Sequence, residues 1–300
     1  MKITIKVPAT TANLGPGFDA LGLALDLWNE THFGLAEQFS LQIEGEGAGQ
    51  LTSNEKNLIV RAAQKVYGVV GGQMPALNIR CVNRIPLGSG LGSSAAAALT
   101  GLLGANALLG GRLSNDEILS LAAEIEGHPD NVAPALLGGL VVSTMDEGRV
   151  LARKLPIGSP LHITVVLPDF NFPTKQARAA LPKRVLTEDA VHNISRAVLV
   201  AEAFRTGDLE LLGNAMQDRL HQPYRLPRIP GAREAMDAAK RAGASAVALS
   251  GAGPSLVAFS SKRNPVIGAD MKREFESAGL NARVFELEVS MGGARLVSGL

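Results

Sequence analysis

The sequence predicts a two-domain α+β protein, and three observations carry that prediction. The chain opens on strand-like alternation at Met1–Val7; a glycine-rich loop at Pro86–Ala96 runs into an alanine-rich helical segment; and the second half reads in the order β-α-β-β-α-β, a split βαβ arrangement. At 300 residues with 46% hydrophobic content, there is enough apolar material for two packed cores. The densest breaker cluster between structured stretches, Pro156-Ile157-Gly158-Ser159-Pro160, places the boundary between a domain of residues 1–157 and one of residues 158–300.

Along the first half, alternation recurs at Gln38–Ile43 and Leu77–Asn83, which read as strands, while Asn57–Val70 and Ala95–Leu109 have helical spacing. Ser114-Asn115-Asp116-Glu117 is a capping box. Behind it Ile118, Leu121, Ala122 and Ile125 recur at helical spacing, so a helix runs to about Glu126 and stops at Gly127. An apolar segment, Val132–Ser143, precedes a turn at Asp146-Glu147-Gly148. Beyond the boundary come a strand (His162–Leu167), helices (Thr187–Phe204, Leu209–Leu220 and Ala232–Arg241) and a strand (Ser245–Leu249). A tight loop, a strand (Leu256–Ser260), a helix (Pro265–Ser277) and a strand (Ala282–Glu288) complete the order.

Composition narrows the partners. The formal net charge is +1 with no long run of one sign, so neither nucleic acid nor a membrane surface is expected, and a small molecule is. A single cysteine, Cys81, excludes an internal disulfide and a cysteine-based zinc site, and reads as a buried small residue in a strand. The first residues contain no apolar signal region, and the longest mostly apolar stretches, Ala95–Leu109 and Val132–Val142, fall short of a membrane span; a soluble, cytoplasmic protein is expected.

The loop Pro86-Leu87-Gly88-Ser89-Gly90-Leu91-Gly92-Ser93-Ser94-Ala95-Ala96 has the character of a phosphate cradle. Three glycines let a polyphosphate approach the backbone, positive φ is expected at Gly90 and Gly92, and the free N–H groups and dipole of the following helix favour the anion. It is not a P-loop, because no lysine follows Gly92, and not a dinucleotide fingerprint, because residue 93 is serine where a third glycine is needed. Protein-kinase companions such as His-Arg-Asp and Asp-Phe-Gly are absent from the chain.

Three further segments are polar where the flanking chain is apolar. Pro8–Asp19 is a turn-rich stretch with Asn13 and Asp19, which either serve backbone turns or face a ligand. Glu124-Ile125-Glu126-Gly127-His128-Pro129-Asp130-Asn131 is either a solvated helix end or a source of the one or two carboxylates that magnesium takes beside phosphate oxygens. Ser250-Gly251-Ala252-Gly253-Pro254-Ser255 is a glycine hairpin able to press backbone against a ligand.

Taken together and in this order, these segments resemble the homoserine kinases of the GHMP small-molecule kinase superfamily. The three signature motifs of that superfamily match Pro8–Asp19, Pro86–Ala96 and Ser250–Ser255, and the resemblance covers essentially the whole chain. Asn13-Leu14-Gly15-Pro16-Gly17-Phe18-Asp19 and His128-Pro129-Asp130-Asn131-Val132-Ala133-Pro134 are much more like homoserine kinases than like other members. The resemblance implies a GHMP kinase fold with a ribosomal-S5-like N-terminal domain and a ferredoxin-like C-terminal domain. It also implies ATP and Mg²⁺, phosphorylation of L-homoserine on the route to threonine, and a homodimer. By the same resemblance Pro86–Ala96 binds ATP, and Asp19, His128, Asn131, Arg178, Arg225, Gly251 and Gly253 surround homoserine. Ser94 and Glu126 hold the metal, with Glu124 the alternative, and Asn13, Asp130 and Thr174 serve catalysis. Asp130 matches a base of mevalonate-kinase-like relatives, whereas homoserine kinases are held to work without one.

Overall fold

The structure, a computed structural model, describes residues 2–298, so Met1 of the opening strand lies outside the described residues. The first sheet is built from β1 (Lys2–Ala12), β2 (Leu21–Leu35), β3 (Ser40–Gly45), β4 (Leu77–Asn83), β5 (Leu140–Asp146) and β6 (Arg149–Leu155). Its central order is β1-β2-β4-β3, with β5 extending from the far end of β2 and β6 paired to β5. Only the β3–β4 pair is parallel among the described strands; the others run antiparallel.

Local sequence explains the elements that lean on this sheet. In β4 the alternation turns Leu77, Ile79, Cys81 and Asn83 inward. Helix α1 (Leu58–Val69) starts where Asn57 accepts the Ile59 N–H at 3.0 Å. Helix α2 (Ser93–Leu108) follows the glycine loop and is apolar on nearly every face, as suits a helix that runs through the core. It fits there because Gly101 and Gly104 lack side chains: a Cβ on Gly101 would lie 2.1 Å from the Ile59 carbonyl oxygen. Helix α3 (Asn115–Glu126) has the full capping box on Ser114 and Glu117 and ends at Gly127, whose φ is +82°. The apolar segment after it splits into a short helix, α4 (Val132–Leu137), and β5, broken by Gly138 and Gly139.

The second sheet holds β7 (His162–Pro168), β8 (Ala246–Leu249), β9 (Leu256–Ser260) and β10 (Ala282–Glu288) in the antiparallel order β10-β7-β9-β8, the ferredoxin-like order. Helices α5 (Thr174–Ala179), α6 (Thr187–Thr206), α7 (Leu209–Ala215), α8 (Gln222–Arg225) and α9 (Ala232–Arg241) lie between β7 and β8, and α10 (Pro265–Ser277) connects β9 to β10. A short final strand, β11 (Arg295–Ser298), returns to pair with β1 in the first sheet. One apolar core runs from Ile5, Leu23 and Leu99 across to Ile163, Phe204 and Phe259, so the two sheets share packed side chains. A second core of Phe172, Ile229, Ile267, Met271 and Phe275 lies under α9 and α10.

The observed elements depart from expectation in three places. The 15-residue strand β2 is not seen in the sequence pattern because its burial pattern is continuous over Leu21–Leu25 before it alternates. The helix expected over Leu209–Leu220 stops at Ala215, because the Asp218 carboxylate takes the N–H groups of Leu220, His221 and Gln222 for a turn. Short elements α5, α8, β6 and β11 carry too little periodicity to be read.

Two glycine substitutions test the packing with opposite signs. Gly101→Ala drives a methyl into backbone and should destabilise by about 1–3 kcal/mol. Gly68→Ala in α1, where nothing lies within 4 Å of the added atom, should stabilise by about 0.5–1 kcal/mol through helix propensity. Urea denaturation of both variants checks the pair.

Candidate active site

Three loops from distant parts of the sequence meet at the seam between the sheets. Thr10 N donates to Leu91 O at 3.1 Å, Gly251 N to Ala12 O at 3.1 Å, and Ser255 N to Ser89 O at 3.3 Å, so the end of β1, the glycine loop and the Ser250–Ser255 hairpin are stitched backbone to backbone. Ser250 Oγ donates to Gly90 O at 2.8 Å. The closeness explains the glycines: a Cβ on Gly90 would stand 2.2 Å from Ser250 O, and one on Gly92 2.1 Å from Thr10 Oγ1. Both have positive φ, at 80° and 70°, as does Gly88 at 59°. Gly88 alone of the three faces open space.

The stitched loops enclose a cleft of about 340 Å³. One wall is the N-terminus of α2. Ser93 and Ser94 line it, and Ser94 Oγ donates to Glu126 at 2.6 Å. Burial raises the Glu126 pKa, opposed by the Ser94 bond; a half-buried carboxylate with a hydroxyl as its one described partner is a place for a cation. Beside it, His128 Nδ1 meets Asp130 Oδ1, while Asn131 Nδ2 donates to the same oxygen at 3.3 Å and Asn131 Oδ1 accepts from Thr10 Oγ1 at 2.8 Å. Burial works against the His128 imidazolium, yet the hydrogen bond and charge of Asp130 outweigh it and the pKa is raised.

The opposite wall is cationic. Arg178 from α5 forks onto Asp19, with Nη2–Oδ1 at 2.8 Å and Nη1–Oδ2 at 3.0 Å. Asp19 sits in a loop where Asn13, Leu14 and Asp19 all have positive φ (71°, 44° and 55°), a strained path for non-glycine residues. Asn13 holds it there: its Oδ1 accepts the Asp19 N–H at 3.0 Å and its Nδ2 donates to Gly251 O at 2.7 Å. Arg225 from α8 is 2% exposed and bonds only neutral acceptors, Ala177 O, Gly251 O and His221 Nδ1, each at 3.3 Å. Among the described residues no carboxylate pairs with it. Burial and then the Arg178 charge pull its pKa down to about 10.

Comparison with known proteins bears on this geometry. The family descriptions "GHMP kinases N terminal domain" and "GHMP kinases C terminal" match residues 57–139 and 200–279. A homoserine kinase of Moorella thermoacetica is 46% identical over 98% of this chain and 99% of its own length, and one of Carboxydothermus hydrogenoformans is 41% identical over 97% and 96%. The chain belongs to the homoserine kinases of the GHMP kinase family. Among solved structures, a homoserine kinase from Cytophaga hutchinsonii superposes with a TM-score of 0.89 at 32% identity, covering 99% of this chain and 97% of that one. A mevalonate kinase of L. major shares the fold at TM-score 0.72 and 18% identity, covering 95% of this chain and 94% of that one.

In this homoserine kinase family member the structure brings Asn13, Asp19, Gly88, Ser89, Gly90, Gly92, Ser93, Ser94, Glu126, His128, Asp130, Asn131, Thr174, Arg178, Arg225 and Gly251 to the one cleft. It does not bring all of the expected residues there. Leu91, Ala95 and Ala96 are fully buried in the core, Pro86 and Leu87 line a neighbouring groove, and Gly253 turns its α-carbon toward Leu249 and Ile229. Glu124 points away and pairs with Lys65 at 2.8 Å, so of the two glutamates Glu126 is the one at the cleft. Sequence reading missed Phe18, whose ring stacks on His221 with centroids 5.2 Å apart and lies 5.2 Å from the Arg225 guanidinium. The available signal for His221 was its spacing, four residues before Arg225.

The His128–Asp130 contact makes a pH prediction. A pKa raised in the folded state means the pair adds stability fully present below the unfolded value of about 6.5 and lost as pH rises through the folded pKa. Proton NMR titration should place the His128 midpoint above about 6.5, and Asp130→Asn should move it down; an unchanged midpoint in Asp130→Asn would contradict the assignment.

Proposed function

We infer that the chain is a homoserine kinase that transfers the γ-phosphoryl group of ATP to the γ-hydroxyl of L-homoserine, giving O-phospho-L-homoserine and ADP on the route to threonine. The observation that carries this reading is the facing of two unlike walls across one small cleft: a glycine loop at a helix N-terminus, and a buried, uncompensated Arg225 beside the Asp19–Arg178 pair. A phosphate chain suits the first wall. An α-amino acid suits the second, its ammonium toward Asp19 and its carboxylate toward Arg225 and Arg178. A mevalonate or sugar substrate has no ammonium for Asp19.

Each residue then has a role. Backbone N–H groups around Gly88 and at the α2 N-terminus, Gly92–Ser94, receive the triphosphate where Gly88 leaves space. Glu126 and Ser94 fit magnesium by the chemistry of a desolvated carboxylate beside a hydroxyl, and when bound the ion would neutralise developing phosphate charge. His128 keeps Nε2 for the cleft while Asp130 fixes its ring. Asp130 Oδ1 is taken by His128 and Asn131, so Asp130 orients His128; a loose transition state needs positioning and charge stabilisation more than a base. Asn13 supports Asp19 and the hairpin with the oxygen and nitrogen of its side-chain amide, and Thr174 lines the cleft at the start of α5. Residues 1–157 supply the nucleotide wall and residues 158–300 most of the cationic one. Among the described residues no helix is long and apolar enough to cross a membrane, and the reading places the enzyme in the cytoplasm.

A coupled ADP-release assay with homoserine beside mevalonate, galactose and serine tests the function, and turnover with homoserine well above the other three is expected. Arg225→Ala and Arg178→Ala should each lower kcat/KM for homoserine by roughly 30- to 1000-fold, from about 2–4 kcal/mol lost with a desolvated charge pair. Glu126→Gln should chiefly lower kcat and raise the Mg²⁺ requirement, with Glu124→Gln silent; the reverse pattern would contradict the assignment of Glu126.

A further inference from the structure

Behind the cationic wall lies a buried polar chain that phosphoryl transfer itself does not use. Asn193 in α6 donates through Nδ2 to Asp218 Oδ1 at 2.7 Å and to Pro16 O at 3.1 Å. The second Asp218 oxygen accepts the backbone N–H groups of His221 (2.9 Å) and Gln222 (2.6 Å) and lies 3.5 Å from His221 Nε2. His221 is fully buried, and its Nε2 is 2.8 Å from Gly15 O. A carbonyl oxygen only accepts, so Nε2 carries a proton. Burial, with the Arg225 charge added, holds the ring below the ordinary imidazole range against the pull of Asp218, so the ring is neutral and Nδ1 keeps a lone pair. That lone pair faces Arg225 Nη1 at 3.3 Å. Phe18, stacked on the imidazole, blocks its rotation, and a flipped ring would put Cε1 in place of Nε2 at the Gly15 carbonyl and Cδ2 in place of Nδ1, losing both hydrogen bonds.

We propose that His221 is a positioning residue: pinned between Phe18, Gly15 and Asp218 as the Nε2–H tautomer, it offers Nδ1 as the acceptor that aims Arg225 at the carboxylate of the amino-acid substrate. Ala177 O and Gly251 O fix Nε and share Nη1, which leaves Nη2 without a described partner and free for an anion. The inference rests on the reading of Arg225 as the carboxylate partner. Of the other charged groups, Asp19 also favours the charged ring, and it is held by Arg178, which stands 5.9 Å from the Phe18 centroid.

Two substitutions separate the two ring nitrogens. His221→Asn puts an amide oxygen near Nδ1 and keeps the acceptor for Arg225; His221→Gln reaches Gly15 with its amide nitrogen and loses that acceptor. KM for homoserine, KM for ATP, kcat and the preference for homoserine over homoserine amide are measured on the full chain, with thermal melting as the check on folding. His221→Gln should raise the homoserine KM about tenfold or more, the scale of one hydrogen bond to a charged group, and lose most of the preference, with ATP KM within about twofold. His221→Asn should keep most of the preference even if it melts lower. Equal shifts in both variants, or an unchanged preference in both, would overturn the proposal. An unmodified enzyme that phosphorylates the amide as well as homoserine would instead overturn the reading of Arg225. If neither variant folds, nitrogen NMR on the unmodified protein decides: protonated Nε2 with bare Nδ1 from about pH 6 to 8 is expected, and a proton on Nδ1 overturns the proposal.

Discussion

A guanidinium almost wholly out of water, with no described carboxylate beside it, is the constraint around which the rest of this molecule is arranged. Removing one member of a buried ion pair costs several kcal/mol in ordinary proteins, and Arg225 stands in that unpaired condition by design of its surroundings. Two carbonyl oxygens, a neutral imidazole and the face of Phe18 offset part of the cost. None of them supplies a negative charge. The site is therefore left with a standing affinity for an anion small enough to enter the cleft.

Holding such a group still requires rigidity where three chain segments meet, and that requirement explains features that otherwise look unrelated. Gly90 and Gly92 let the glycine loop approach Ser250 of the hairpin and Thr10 at the end of β1 at distances no side chain permits. The left-handed residues Asn13 and Asp19 bend the chain so that a carboxylate faces Arg178, with Asn13 bonding both sides of the bend. The glycine-loop wall and the cationic wall thus share one scaffold, and their separation is set by backbone contacts between the loops.

Much of this was legible in the chain, for identifiable reasons. The Ser114–Glu117 box and the Gly127 stop gave α3 both of its ends, because both are set by local hydrogen bonds and backbone conformation. Strands β4, β9 and β10 and helices α9 and α10 match their expected limits, since each is punctuated by turn or capping residues. Many cleft residues lie in motifs visible in the chain, whereas Arg178 and Arg225 came only through the family resemblance, and the pairing was not readable: that Glu126 turns to Ser94 while Glu124 turns to Lys65 depends on which face of α3 packs against α2. His221, Asp218 and Asn193 stayed hidden because their partners are backbone groups and side chains up to 206 residues away, and no short-range pattern records such contacts.

The central claim, that the uncompensated Arg225 receives the carboxylate of an amino-acid substrate, is tested most directly by a crystal structure of the protein with homoserine and a non-hydrolysable ATP analogue. The account predicts the homoserine carboxylate within about 2.7–3.2 Å of the Arg225 guanidinium nitrogens, with the γ-hydroxyl directed toward the glycine loop. A homoserine carboxylate bound elsewhere, with Arg225 still touching only Ala177, Gly251 and His221, would contradict it.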